Sequence, residues 1–242
     1  MPAKKVVSII QSNYIPWKGY FDIIRHSDLF ILYDEVQYTN NDWRNRNRIK
    51  TADGVQWLTI PVHYTAKFSQ SIRETRIAQA NWYAKHWKTL QMVYGRAPHF
   101  KAYKERVEAL YMSMEGVELL SDVNEAFIRA ICGWLGIKTE IRQSSAFTMQ
   151  AGRVERLVSL CEQTGATHYL SGPAAQAYIE GVAFASHGIE LLYMDYDGYP
   201  EYKQHYPPFD HKVSILDLLF HVGDDAPLYL KAMADDKRFT TP

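Results

Sequence analysis

Residues 42–50, Asp-Trp-Arg-Asn-Arg-Asn-Arg-Ile-Lys, gather cationic and amide donors beside an indole. Arginine offers a planar fork for phosphate or carboxylate, lysine a point charge, and asparagine or glutamine the paired donor and acceptor that read hydroxyls. Two upstream runs carry similar groups: Gln11, Tyr14, Trp17 and Lys18 in the first, and Asp34, Glu35, Gln37 and Tyr38 in the second. Together they predict a recessed site for an anionic, hydroxyl-rich small molecule. Gln11, Tyr14, Trp17, Gln37, Trp43, Asn45 and Asn47 would contact it, with Arg46 or Lys50 facing its phosphate or carboxylate. The competing reading is a salt-bridged loop whose asparagines close turns.

Transfer chemistry at such a site needs a group to accept a proton while fixed donors hold the developing charge. The candidates are Asp34, Glu35, His86 and His221. Asp34 comes first because it closes an apolar run just before Gln37 and the donor-rich segment; the alternative is that it caps the next loop. His86 comes second, against the plain reading of a histidine satisfied within a helix. Covalent or metal chemistry has little to stand on, because the chain has no His-x-His, CxxC or HExxH pattern and no nucleophile elbow around Ser171. No metal or cofactor is expected. Cys161 sits among Leu157, Val158 and Leu160, so a buried helix residue is expected there.

The 242 residues have a mass of 28.0 kDa and are 47% hydrophobic, enough for one ordinary core, and a single domain spanning 1–242 is expected. Lys and Arg total 27 and so do Asp and Glu, so no net field draws the chain to polymeric nucleic acid or an acidic membrane. A phosphate pocket remains compatible with that balance. No signal-like leader or long apolar run is seen, which predicts no transmembrane segment, and with two cysteines a reducing cytoplasm fits best.

The elements that must position these groups follow from periodicity. Residues 5–10 form a β-branched run, 17–24 an apolar helix led by Pro16, and 29–33 a second run ending at Asp34. Residues 55–62 alternate as an antiparallel or edge strand, with 38–50 as a polar loop laid over one end of the sheet. Helices over 81–94, 98–114 and 116–135 form a cover at about 80–136. From 138 onward strands and helices alternate: strands at 139–142, 169–170 and 189–193, helices at 154–162 and 174–184, and a last helix at 213–220. The fold class is α/β, a Rossmann-like mixed or mainly parallel sheet with a helical insertion. Ligands in such sheets sit outside the carboxyl ends of the strands, where Gln11 and Asp34 would fall. Ser171 and Gly172 would join strand to helix, as a phosphate contact or a cap. Lys203 and Gln204 would reach the ligand from the far side, while Ser214 and Asp217 cap the last helix or brace the loop before it.

The runs VVSIIQSNYIPWKGYFDII, LFILYDEVQYTNNDWRNRNRIKT and GVQWLTIPV resemble the WbqC family of bacterial proteins. The resemblance extends through residues 80–87, 169–172, 199–204 and 214–220, nearly the whole chain. It implies a place among the surface-glycan and O-antigen proteins, in modifying an activated sugar or attaching an acyl-type group. The segment carrying His86 belongs to the resemblance. Two positions depart from the family pattern, Ser12 where many relatives have proline and His221 where they have asparagine. The opening also has the layout of nucleotidylyltransferases, but Trp17-Lys18-Gly19-Tyr20 stands where those enzymes have His-x-Gly-His. Acyl or aminoacyl transfer to a sugar, from an acyl donor, therefore ranks above nucleotidyl transfer on a nucleotide sugar, and both above redox or metal chemistry. A nonenzymatic scaffold that binds a glycan-pathway protein stays open.

Overall fold

The structure, a computed structural model, describes residues 3–64, 69–177, 179, 181–231 and 239–240. Strand β1 (Val6–Ile10) is followed by helix α1 (Lys18–Arg25) and strand β2 (Leu29–Leu32), which pairs parallel to β1 with Val7 opposite Leu29. Next come the hairpin β3 (Arg46–Thr51) and β4 (Gly54–Thr59) and the helices α2 (Trp82–Tyr94), α3 (Phe100–Met112) and α4 (Leu120–Trp134). The chain then alternates through β5 (Glu140–Gln143), α5 (Arg153–Gln163), β6 (His168–Ser171), α6 (Gly181–Ala185), β7 (Glu190–Met194), α7 (Ile215–Val222) and β8 (Phe239–Thr240).

Among the described residues one sheet has the order β5-β2-β1-β6-β7-β8. Its first five strands are parallel and β8 is antiparallel. This is a Rossmann-like α/β sheet flanked by helices. From β1 the chain builds outward to β2 and β5, then returns to the other side of β1 to start β6. The crevice between β1 and β6 is therefore the switch point at which such sheets open a ligand site.

Period-two alternation assigns each strand residue to one of two buried layers. Val6, Phe30, Leu32, Ile141, Leu170, Leu192 and Met194 face a layer made by α1, the helical cover and α7. Val7, Ile9, Leu29, Ile31, Tyr169, Leu191 and Tyr193 face α5 and α6. The aromatic density of the cover is mostly core: Trp87 stacks on Phe100 at 5.9 Å, and Tyr111 meets Phe127 edge-on at 4.9 Å. These rings hold α2, α3 and α4 against one another.

Two local readings are corrected. The Arg-Asn-Arg-Asn-Arg run is only in part a loop: Arg44 and Asn45 lie in a turn, and from Arg46 the alternation makes it the start of β3, with Asn47 and Ile49 turned inward while Arg46 and Arg48 are half-buried. The span 174–184 is not one helix. A 3-10 turn covers Pro173–Ala177 and a single α turn follows at Gly181–Ala185, with residues 178 and 180 outside the described residues. Ser214 does cap α7, its Oγ accepting the Leu216 amide at 3.3 Å.

Candidate ligand site at the sheet switch point

A cleft of about 810 Å³ opens at the carboxyl ends of β1 and β6. Gln11 enters it from the end of β1, Gln37 from the segment after β2, and Ser171 and Gly172 from the end of β6. Trp17, Tyr20, Tyr169 and Tyr196 supply aromatic walls. Arg153 and Arg156 face the same space from the first turn of α5, and both are exposed or half-buried. Arg156 Nε donates to the Gln150 carbonyl at 3.0 Å, which fixes its guanidinium stem. Gly152 precedes α5 at φ 89°, a left-handed conformation that glycine adopts without strain. The N-terminal end of α5 carries partial positive charge, and the carboxylate of Glu155 in the first turn lies over Gly152. The cleft thus brings together two guanidinium groups, two side-chain amides and several aromatic rings.

Trp17 lines a second, smaller pocket as well. That pocket encloses about 180 Å³ among Asn13, Pro16, Trp17, Trp43, Asn47 and Lys212. The indole is held between Tyr196 at 5.0 Å and Tyr199 at 5.9 Å, both edge-on. Arg44 props the loop from behind, its Nη1 pointing at the Gln11 and Ser12 carbonyls at 3.4 and 3.5 Å and at the Asn13 side chain.

Of the residues singled out in the sequence, Gln11, Trp17, Gln37, Ser171 and Gly172 line the large cleft, and Trp17, Trp43 and Asn47 the small pocket. The others are engaged elsewhere. Tyr14 is fully buried in the cover, its hydroxyl 2.8 Å from His86 Nδ1 and 2.7 Å from the Tyr111 hydroxyl. His86 Nε2 lies 3.1 Å from the Thr59 carbonyl, which can only accept, so Nε2 carries the proton and Nδ1 receives the Tyr14 hydroxyl. Burial depresses the His86 pKa to about 4, so the ring is neutral. Asp34 is fully buried, and its Oδ1 accepts the Ser12 amide at 2.8 Å. Burial raises its pKa to about 6 against the hydrogen bonds from Ser12 and the charge of Arg44. Neither acid-base candidate lines the large cleft.

The donor-rich segment also serves the fold. Asn45 Nδ2 donates to the Ile60 carbonyl at 2.8 Å, and Asn47 Nδ2 to the Tyr14 carbonyl at 3.0 Å. Arg46 lies 4.1 Å above the Trp57 ring and donates to Asn41, away from both cavities. Lys50 is buried, and its Nζ donates to Gln204 Oε1 at 2.8 Å and to the Pro208 carbonyl. Gln204 Nε2 in turn donates to Asp217 Oδ1 at 2.9 Å, and Lys203 is exposed. Arg153, Arg156 and Tyr196 were not singled out from the sequence. Only the crossing from β5 back to β6 brings α5 over the crevice, and nothing local in the Gly152-Arg153 text signals that.

The fold and its crevice define an α/β protein with a small-molecule-sized site at the switch point of a parallel sheet. The chain belongs to the WbqC-like protein family, which matches residues 11–229. It is similar to the uncharacterized protein Rv1507c of Mycobacterium tuberculosis, 47% identical over 227 residues that cover 94% of this chain and 98% of that protein. No solved structure matches it. Among the described residues no helix is long and apolar enough to cross a membrane.

Proposed function

We propose that this protein binds a nucleotide-activated or phosphorylated sugar in the switch-point cleft and transfers an acyl or aminoacyl group to it during surface-polysaccharide synthesis in the cytoplasm. The observation that carries the reading is the cleft of about 810 Å³ whose lining includes Arg153, Arg156, Gln11 and Gln37. That volume lies within the range of small-molecule sites. The arginines suit phosphates, the glutamines suit sugar hydroxyls, and Trp17 and Tyr196 suit a base or sugar face. In the transfer, a sugar amine nitrogen bonds to the acyl carbonyl carbon. The bond from that carbon to the donor's leaving group breaks with its electron pair, and the leaving group carries off the proton shed by nitrogen. Such a step needs no metal and no resident cofactor.

Calorimetry with a panel of nucleotide sugars tests the binding. Arg156→Ala is expected to weaken the best ligand by about tenfold or more, the scale of one charge-assisted hydrogen bond. Unchanged affinity in that variant overturns the cleft assignment. Incubation with activated acyl donors then reads the reaction: a product heavier by the acyl group supports it, and pyrophosphate release from a nucleoside triphosphate and a sugar phosphate selects nucleotidyl transfer instead. One observation favours a binding protein without turnover: among the described residues lining the cleft none is a carboxylate or an imidazole. Tight ligand binding with no product across the donor panel supports that reading.

A further inference from the structure

The small pocket, which shares Trp17 with the large cleft, differs from it in chemistry. Its walls are Pro16 and the two indoles of Trp17 and Trp43, and Lys212, an exposed residue, stands at its rim. Its two amides are largely committed to the protein. Asn47 Nδ2 donates to the Tyr14 carbonyl at 3.0 Å, its Oδ1 accepts the Arg48 amide at 2.8 Å, and Asn13 Oδ1 accepts from Arg44. A sugar ring would need paired donors and acceptors for several hydroxyls, and this pocket has few left to give. An apolar chain with a polar or anionic end needs only what is present: rings for the chain and an ammonium for the end. At about 180 Å³ the space falls below the usual range of small-molecule sites, too little for a nucleotide. Trp43 stays 38% exposed in the free protein although it is one of the largest apolar side chains, and its ring stands 5.2 Å from Trp57. Burial of its face is therefore still available to a ligand.

We propose that this pocket is the subsite for the second substrate, holding a short acyl chain against Trp43, Trp17 and Pro16 with its carbonyl or carboxylate end toward Lys212. The inference rests on the large cleft holding the sugar partner. Trp17 then stands as the partition between two substrates, the arrangement a direct transfer between them requires.

Ligand-observed NMR titrations with butyrate, butyramide and methyl α-glucoside read the subsite without any turnover. Butyrate and butyramide are expected to bind, and methyl α-glucoside is not. Trp43→Ala is expected to raise the Kd of both acyl probes about tenfold, Trp43→Phe to restore most of the loss, and Lys212→Ala to weaken butyrate while leaving butyramide within about twofold. Arg156→Ala leaves both acyl probes unchanged. Unaltered acyl binding in Trp43→Ala, or tighter binding of the glucoside than of butyrate, overturns the assignment. The two failures are distinguishable. Acyl probes that bind against Trp43 while no nucleotide sugar binds support an acyl pocket but overturn the cleft reading and with it the role of second-substrate subsite, and nucleotide sugars that bind without any acyl probe overturn the acyl pocket alone.

Discussion

The indole of Trp17 occupies the space that a side chain on Gly19 would fill. A β-carbon built on Gly19 would fall 2.7 Å from Trp17 Cε2 and closer still to the far edge of the ring. Gly19 lies inside α1, where glycine costs about 1 kcal/mol against alanine, and the ring above it explains its place. Gly19→Ala is expected to push the indole aside. Helix propensity and steric cost oppose each other, so thermal stability changes by no more than about 2 kcal/mol. Binding at both cavities falls together, because one ring walls both. Calorimetry on this single variant with a nucleotide sugar and with butyrate checks it; loss at one cavity only contradicts the shared wall.

Asp34 and His86 bias stability against pH in opposite directions. The Asp34 pKa rises from 3.8 to about 6 on folding, so the native state holds the extra proton between those values. Its contribution is full below about pH 4 and is lost as pH rises through 6, amounting to about 3 kcal/mol. The His86 pKa falls from 6.5 to about 4, so the unfolded state binds the extra proton. Its contribution is present above about pH 6.5 and is lost as pH falls toward 4, again about 3 kcal/mol. Asp34→Asn is expected to steepen the loss of stability toward acid, and His86→Asn to flatten it, in urea unfolding at pH 4, 5, 6 and 7. Parallel curves for both variants would contradict these assignments.

Asp217 collects the Tyr94 hydroxyl at 2.9 Å, the Tyr202 hydroxyl at 2.6 Å and Gln204 Nε2 at 2.9 Å while fully buried in the first turn of α7. Burial pushes its pKa upward, but the hydrogen bonds from His221, Tyr202 and Gln204 outweigh that and lower it. Its stabilisation is therefore present above the unfolded value of 3.8 and is lost as pH falls through the folded value. Asp217→Leu strands three donors and is expected to cost about 3 kcal/mol or more in chemical denaturation. Asp217→Asn keeps an acceptor and should cost less than half of that.

Arg46 and Arg156 separate the surface cluster from the cleft. Arg46 packs on Trp57 at 4.1 Å, outside the cleft lining. Arg46→Ala is expected to leave nucleotide-sugar affinity within about twofold, whereas Arg156→Ala loses about tenfold. The reverse order in calorimetry would return the anion site to the hairpin.

Much of this frame is legible in the text of the chain. The apolar runs at 6–10 and 29–32 give strands, the polar residues just after them give the open end of the sheet, and the dense aromatics of 82–127 give the cover. The strict alternation of arginine and asparagine at 44–48 carried a strand signal that its polarity masked, since asparagines satisfied by backbone carbonyls can point inward. The cleft arginines were not legible, because their place depends on β5 pairing with β2 and on α5 crossing back to β6. Burial of Asp34 was not legible either. It follows from the loop folding back so that the Ser12 amide meets the carboxylate.

The hydroxyl chain from Tyr111 through Tyr14 and His86 to the Thr59 carbonyl ties the loop after β1 to the cover rather than to the sheet alone. Tyr14 lies midway between Gln11 and Trp17, so the residues that would grip a ligand hang from a frame already locked before any ligand arrives. Little conformational entropy is left for binding to remove. Substitution deep in the cover, Tyr111→Phe for instance, should then reach the mouth of the cleft as a more unfavourable binding entropy with little change in enthalpy. The cover is in that sense a tensioning frame, holding a recognition loop in its working shape from a distance.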